Sequence, residues 1–282
     1  LEEKLDLARA AAREAKPRAS GWWRGACPFC VPARPDPTFS IQPSTGHWHC
    51  FRCHTGGSLE ADDDALQEAV KTPPPDDSEA RRPPDGFLPL GEGDGLRAFS
   101  AKPARAYLQK RGVSPETARK LQIGCVLGSG RHAGRVVVPV LVDGNWRGWV
   151  ARDFTGKAEK KYLNARGNWR GDVLFGADAL RRETETPVMI TEGVFDALPF
   201  VGDAVAVLGK PTEEQLWIIK TTARRPVAVV LDGDAHEEGW ALAMKLRLDG
   251  IRAGSVRLPP KKDPDQVDRN WLFEEARRVI SD

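Results

Sequence analysis

Between residues 187 and 265, three short apolar runs alternate with helical patterns, and each run leads into carboxylates. Residues 187–191 run into Glu192-Gly193-Val194-Phe195-Asp196. Residues 227–231 run into Asp232-Gly233-Asp234, and 250–258 lead into Lys262-Asp263-Pro264-Asp265. Short β-branched runs bounded by Gly and Pro predict buried strands. Helical patterns over 212–223 and 235–248 separate them, with a further strand over 204–208. Such alternation predicts a parallel sheet covered on both faces, with ligands bound beyond the carboxyl ends of its strands. Glu192, Asp196, Asp232, Asp234, Asp263 and Asp265 would then share one acidic crevice. Clustered carboxylates repel, and divalent cations relieve that repulsion; all-oxygen ligands suit Mg²⁺ or Mn²⁺. Two such ions can clamp the attacking and leaving oxygens of a phosphoryl transfer. Taken singly, each Asp after a strand also suits a turn or a helix cap.

Glu-Gly-x-x-Asp, Asp-Gly-Asp and Lys-Asp-Pro-Asp in this order resemble the Toprim domain of DnaG-type bacterial and phage primases. Toprim also serves topoisomerases, nucleases and recombination mediators, so the flanking segments must discriminate.

Cys27-Pro28-Phe29-Cys30 and Cys50-Phe51-Arg52-Cys53 stand nineteen residues apart. Two Cys-x-x-Cys knuckles at this spacing predict a structural zinc site. His47, His49 and His54 lie near enough in sequence to replace a thiolate. Strand-like alternation occupies 38–42 and 47–49, and metal binding would supply much of the stability of so small a core. Residues 1–16 predict a helix with Leu5, Ala8 and Ala12 as its apolar stripe. Cys-Pro-Phe-Cys, Asp-Pro-Thr-Phe-Ser-Ile, His-Trp-His-Cys-Phe-Arg-Cys and Gly-Gly-Ser-Leu resemble the zinc ribbon of the same primases, many of which have His where this chain has Cys30. The resemblance implies that the ribbon contacts template and influences where primers begin, with Arg24, Trp48 and Arg52 as contacts; Phe39 and Phe51 are assigned to the core.

The formal charge of +2 conceals local asymmetry. Residues 61–95 hold ten acidic and three basic side chains and six prolines. They predict a flexible acidic linker. Residues 101–185 hold seventeen basic and eight acidic side chains. Helices are expected over 103–110 and after Ser114, and a strand over 121–126 with Cys125 as a core residue. A hairpin follows, turning at Asp143-Gly144-Asn145. Arg131, Arg135, Arg152 and Lys161 would line a basic surface beside the crevice. This stretch, with Lys161-Tyr162-Leu163-Asn164, resembles the amino-terminal half of the DnaG-type polymerase domain. The resemblance implies that Arg131, Arg135, Arg152, Lys161, Asn164 and Lys262 face nucleotide and template.

The expected class is therefore an α/β Toprim core with a basic α+β subdomain, preceded by a small β zinc ribbon. The expected divisions are 1–60, the linker 61–95, the basic subdomain 96–185, the Toprim unit 186–268 and a closing helix 269–282. The resemblance implies a primase making short RNA primers from ribonucleoside triphosphates on single-stranded DNA. It implies one structural Zn²⁺ and two or more Mg²⁺ or Mn²⁺, with Glu192, Asp196, Asp232 and Asp234 catalytic. Asp263 and Asp265 are expected to be secondary ligands. A replicative helicase in trans is expected, since no P-loop occurs in the sequence, and no helicase-docking domain is expected. A cytoplasmic setting in a bacterial or phage-infected cell is expected from the paired cysteines and from the lack of a signal peptide or membrane-length apolar run. The alternatives are a non-catalytic Toprim recombination mediator and a Toprim nuclease.

Overall fold

The computed structural model describes residues 2–18, 22–32, 37–43, 45–60, 64, 78–90, 100–167 and 169–281. They form two compact units. The first comprises residues 1–77 together with 167–172, and the second 78–166 together with 173–282.

In the first unit, helix α1 (Glu2–Glu14) packs on a five-stranded antiparallel sheet of β1 (Lys16–Pro17), β2 (Trp23–Gly25), β3 (Phe39–Ile41), β4 (His47–Cys50) and β5 (Gly56–Ser58), in that order. Ala8 and Ala12 are fully buried and Leu5 packs beside them, so the predicted stripe is the docking face. Gly25 lets β2 approach the helix, since a Cβ there would lie 3.4 Å from Ala15 Cα. Phe39, Ile41, Trp23 and Trp48 fill the remainder of a small core.

The second unit holds two sheets. One is antiparallel, ordered β10-β9-β8-β7-β6. Its strands are β6 (Phe87–Pro89), β7 (Gly124–Val126), β8 (Arg135–Val142), β9 (Asn145–Asp153) and β10 (Tyr162–Asn164). Asp143 and Gly144 both take positive φ, 50° and 76°, in the two-residue turn joining β8 to β9, as an Asp-Gly hairpin requires. Pro139 costs no ladder bond, because it lies beyond the end of β7 where β8 has β9 alone beside it. Helices α2 (Lys102–Lys110) and α3 (Pro115–Lys120) precede β7, and the Ser114 hydroxyl caps α3 by accepting from Thr117 N–H. Cys125 is fully buried, and burial pushes its thiol up to about 11.

The other sheet is parallel, ordered β12-β11-β13-β14. Its strands are β11 (Val188–Thr191), β12 (Ala204–Ala206), β13 (Val227–Val229) and β14 (Ala253–Ser255). Helices α4 (Val194–Ala197), α5 (Glu213–Thr222), α6 (His236–Leu248) and α7 (Arg269–Ser281) belong to it. Every strand residue except Ser255 is buried, which explains why these runs are continuous rather than alternating. α7 lies so close to β14 that a Cβ on Gly254 would meet Val279 O at 2.1 Å. At the amino ends of the strands, Arg225 is wholly buried. It donates to the carbonyls of Ala179, Thr186, Pro187 and Gly202 and to Asp203 Oδ1.

Two expected divisions change. Residues 78–90, assigned to the linker, are folded: β6 pairs with β7, and Ala80 and Leu90 are buried. Composition there was dominated by Pro and acid, yet a three-residue strand at a sheet edge needs few apolar side chains. The rest of the linker, apart from Asp64, lies outside the described residues. The expected boundary at 185/186 is also crossed. Leu174 and Leu180 belong to the core of the parallel sheet, and Phe175 bridges to Ala206.

Candidate functional site

In the first unit the knuckles bring all four cysteines together. One Sγ from each of Cys27, Cys30, Cys50 and Cys53 lies within 4.8 Å of the others. Cys27 and Cys53 sulfurs are 3.7 Å apart, Cys30 and Cys50 sulfurs 3.6 Å. A tetrahedron with Zn–S of about 2.3 Å has edges of roughly 3.8 Å, so the cluster fits that ion. Backbone N–H groups of Phe29, Arg52 and Cys53 point at the sulfurs of Cys27, Cys50 and Cys50. Burial pushes the Cys27 and Cys30 thiols up. Burial also opposes ionisation of Cys50, but the Cys53 N–H, the Thr38 hydroxyl and the Arg52 N–H outweigh it and bring Cys50 down to about 7. No histidine joins the cluster among the described residues.

The expected template contacts divide. Trp48 is only 2% exposed and stacks between Phe29 and Phe39, so the assignment of Trp48 to template is corrected: it is a core residue. Its place on β4 points it inward, the same side as Cys50. Arg24 donates to Pro37 O, with its guanidinium 4.5 Å from the Phe51 ring centroid. Arg52 is exposed on the second knuckle.

In the second unit, each predicted carboxylate-bearing loop begins at or just beyond the carboxyl end of a parallel strand. Thr191, fully buried at the end of β11, donates to Gly193 O and Val205 O and so steers the chain after Glu192. Gly193 leaves room for Asp196: a Cβ there would stand 2.5 Å from Asp196 Oδ2. Gly233 N–H donates to Lys262 O, tying the Asp232–Asp234 loop to the one that carries Asp263. Any Cβ on Gly233 would collide with Pro259 O at 2.2 Å. Asp263 precedes a 3-10 turn, Pro264–Gln266, and accepts from Gln266 Nε2.

Carboxylate oxygens of Asp196, Asp263 and Asp265 lie within 4.8 Å of one another. Burial first, then the charges of Asp232 and Asp263, raise Asp196 to about 7; Arg152 and Arg111 pull the other way. Asp232 is raised to about 6 by burial and by Asp263, Glu192 and Asp234, against Lys161. These mutual effects gather five of the six predicted carboxylates into one field, and the sixth, Asp265, joins through the cluster. Asp232 Oδ1 and Asp265 Oδ1 are buried without a hydrogen-bond partner among the described residues. Orphaned buried carboxylate oxygens in an all-oxygen set fit a hard divalent cation. The tightest group is not the expected one, since Asp263 and Asp265 stand beside Asp196 while Asp232 and Asp234 complete the surround.

The basic residues also divide. Arg152, 6% exposed, donates to the Tyr162 hydroxyl and lies over the rings of Tyr162 and Phe195, at 4.9 and 5.2 Å. Lys161 is exposed and acts on Asp232. Arg135 is 4% exposed and donates to the carbonyls of Lys160 and Lys161. The expected contact of Arg135 with nucleotide is therefore corrected: it anchors the backbone that presents Lys161. Arg131 is exposed on the turn before β8, where its charge lowers His132 after burial does. Asn164 ends β10 with its Oδ1 buried and unpartnered. Lys262 is exposed, and its carbonyl holds Gly233.

Arg111 was missed. It follows α2, makes an ion pair with Asp265 and lies 5.1 Å from the Tyr107 ring. In sequence it stood as one of seventeen basic residues, 154 positions from its partner. Phe195 was missed as well, although it stands inside the Glu192–Asp196 motif; it is the apolar floor under Arg152 and Arg111.

No protein-family model matches the chain. Among curated proteins, the DNA primase of Thermotoga maritima is 26% identical over 335 residues, covering 95% of this chain and 58% of that protein. The DNA primase of Aquifex aeolicus is 25% identical over 318 residues, covering 92% and 63%. The chain thus spans about three fifths of these relatives. Among solved structures, the Aquifex aeolicus primase, zinc-binding and RNA polymerase domains, superposes with a TM-score of 0.51 at 23% identity, over 93% of this chain and 78% of that one. Sequence likeness, a four-cysteine knuckle pair and the shared fold agree: this chain is similar to bacterial DNA primases and has the fold of a primase's zinc-binding and RNA polymerase domains.

Proposed function

We propose that the chain synthesises short RNA primers on single-stranded DNA. The observation that carries this is the convergence of carboxylates from three strand ends, Glu192, Asp196, Asp232, Asp234, Asp263 and Asp265, beside Arg152 and Lys161. The curated relatives are DNA primases, which supports the same reaction. A primase polymerase domain from Mycobacterium tuberculosis has been solved with a double-stranded DNA carrying a single-stranded overhang, which supports contact with template here.

Asp196, Asp232, Asp234 and Asp263 would hold divalent cations, with Glu192 as a further ligand or a base. Bound there, Mg²⁺ or Mn²⁺ would acidify the attacking 3′-hydroxyl and neutralise the incoming triphosphate. The protein's own part is positional. Lys161 presents a mobile cation to the triphosphate. Arg152 is held by the Tyr162 hydroxyl and the Tyr162 and Phe195 rings, so its charge is fixed near Asp196 before substrate arrives. Asp265 is shared with Arg111, which keeps that carboxylate neutralised in the metal-free chain. The four cysteines would close around one structural Zn²⁺, leaving Arg24 and Arg52 to meet template phosphates. A helicase acting in trans remains the expected partner.

The test uses a mixed single-stranded template, labelled ribonucleotides and Mg²⁺ or Mn²⁺. Short RNA products that vanish in Asp232→Asn/Asp234→Asn support the proposal. Tight DNA binding with no product from either protein points to a mediator, and metal-dependent loss of template to a nuclease.

A further inference from the structure

A second charged cavity lies at the opposite end of the parallel sheet. Its volume is about 510 Å³, and its walls include Arg182, Asp203, Arg269, Phe273, Glu274 and Arg277. Asp203 immediately precedes β12, so the cavity sits at the amino ends of the strands, away from the carboxylates.

Three properties distinguish it from an ordinary solvated helix face. First, its carboxylate balance favours cations. Asp203 is already engaged by both Arg182 and the buried Arg225, which leaves Glu274 against Arg269 and Arg277. Second, neither Arg269 nor Arg277 makes an ion pair among the described residues, although six other arginines of this unit do. Third, the Arg269 guanidinium is fixed in place by aromatic rings. It lies 5.6 Å from the Phe200 centroid and 5.7 Å from that of Phe273, and these rings meet edge to face at 5.9 Å. Stacking orients a guanidinium but leaves its N–H donors free to bind.

Arg269, Phe273 and Arg277 follow one another at four-residue intervals, and so share one face of α7 with about 6 Å between steps. Leu272 and Ala276, each one position before a member of that row, bury the adjoining strip of the helix. The repeat of cation, aromatic ring and cation suits a chain of phosphates with a base between them.

We propose that this cavity binds the phosphates of a nucleotide or of a single-stranded nucleic acid, at a site separate from the carboxylate crevice. The cavity does not rest on the reaction assigned to the crevice. It asks only for a phosphate-bearing ligand that also offers a ring.

The test keeps the full chain and places a photoreactive benzoylphenylalanine at Phe273. Two probes are used: a short oligothymidylate and 8-azido-ATP, the second activated by its own azide on the unmodified protein. In parallel, Arg269→Glu/Arg277→Glu is titrated with each probe. Both arginines are exposed, and circular dichroism checks that the variant stays folded. If the ligand is a strand, the oligonucleotide crosslinks at position 273. The charge reversal then weakens its binding about tenfold and flattens the slope of log K against log salt by roughly 1.4, the value for two single-strand phosphate contacts. If the ligand is a free nucleotide, azido-ATP labels α7 and loses that labelling in the variant, while oligonucleotide affinity holds. Should neither probe label α7 and neither affinity change, the site is overturned, whatever the primer-synthesis assay reports.

Discussion

The molecule carries two clusters of metal-seeking side chains, and they are built on opposite principles. The four thiols of Cys27, Cys30, Cys50 and Cys53 sit at tetrahedral spacing and are almost closed from solvent. The carboxylates around Asp196 and Asp232 are crowded, raised in pKa and only partly neutralised by Arg111, Arg152 and Lys161. The physical difference lies in what each group is without metal. A protonated thiol is a small apolar group that packs in a core. A carboxylate is an ion whose burial is costly unless it is paired. A closed thiol cluster can therefore be part of a fold, whereas a carboxylate cluster stores repulsion that a rigid scaffold must hold. The parallel sheet supplies that scaffold, with Arg225 fastening its other end through bonds to four carbonyls and Asp203.

The sharpest way to break the comparison is Cys50→Ser. Zinc content, measured by atomic absorption, should fall from one per chain to nearly none. The ribbon should unfold with it, since metal binding at such a site is worth about 10 kcal/mol or more; melting of the second unit should stay in place. If the ribbon melts normally without zinc, the cluster is not structural.

Asp196→Asn should do the reverse. Removing one of the crowded charges should raise the melting temperature of the metal-free chain above neutral pH by about 2–4 °C, while primer synthesis falls by at least about a hundredfold. Lower stability in the variant would mean that Arg152 and Arg111 bind this carboxylate more strongly than its neighbours repel it.

The pH dependence sharpens the same point. The folded chain holds protons on Asp196 and Asp232 to about 7 and 6, against an ordinary 3.8. A raised carboxyl pKa means that stability is lost as pH rises between those values. Metal-free protein should therefore melt lower at pH 8 than at pH 5 after correction for the Asp196→Asn/Asp232→Asn background. Saturating Mg²⁺ should flatten that slope, because the ion favours the charged forms. An unchanged slope would place the cations elsewhere.

Tyr162→Phe is the smallest perturbation. It removes the hydroxyl that accepts from Arg152 but keeps the ring beneath the guanidinium. Stability should drop by about 1 kcal/mol, and synthesis should decline less than tenfold, with KM for nucleotide rising. A collapse of activity would show that the hydroxyl itself, and not the fixed position of Arg152, matters.

Some of this was legible in the chain. The two Cys-x-x-Cys pairs predict their own geometry, because a knuckle is local and its spacing is visible. The three carboxylate loops were legible because buried parallel strands leave continuous apolar runs, and topology then sends their carboxyl ends to one edge. The Asp143-Gly144 turn and the Ser114 cap follow from single residues with special backbone or hydrogen-bonding properties.

What tertiary structure decided was the allocation among residues of the same type. Seventeen basic side chains in one stretch look alike in sequence. Folding turns Arg135 onto carbonyls, Arg152 onto two rings and Arg111 onto Asp265. It puts Trp48 in the core while Arg52, on the adjoining knuckle, stays in solvent. It draws 87–89 out of an acidic, proline-rich stretch to finish a sheet. Local patterns select an element and the edge where its ends emerge. Which of several equal charges is buried depends on partners far away in the chain, and sequence spacing carries no measure of that distance.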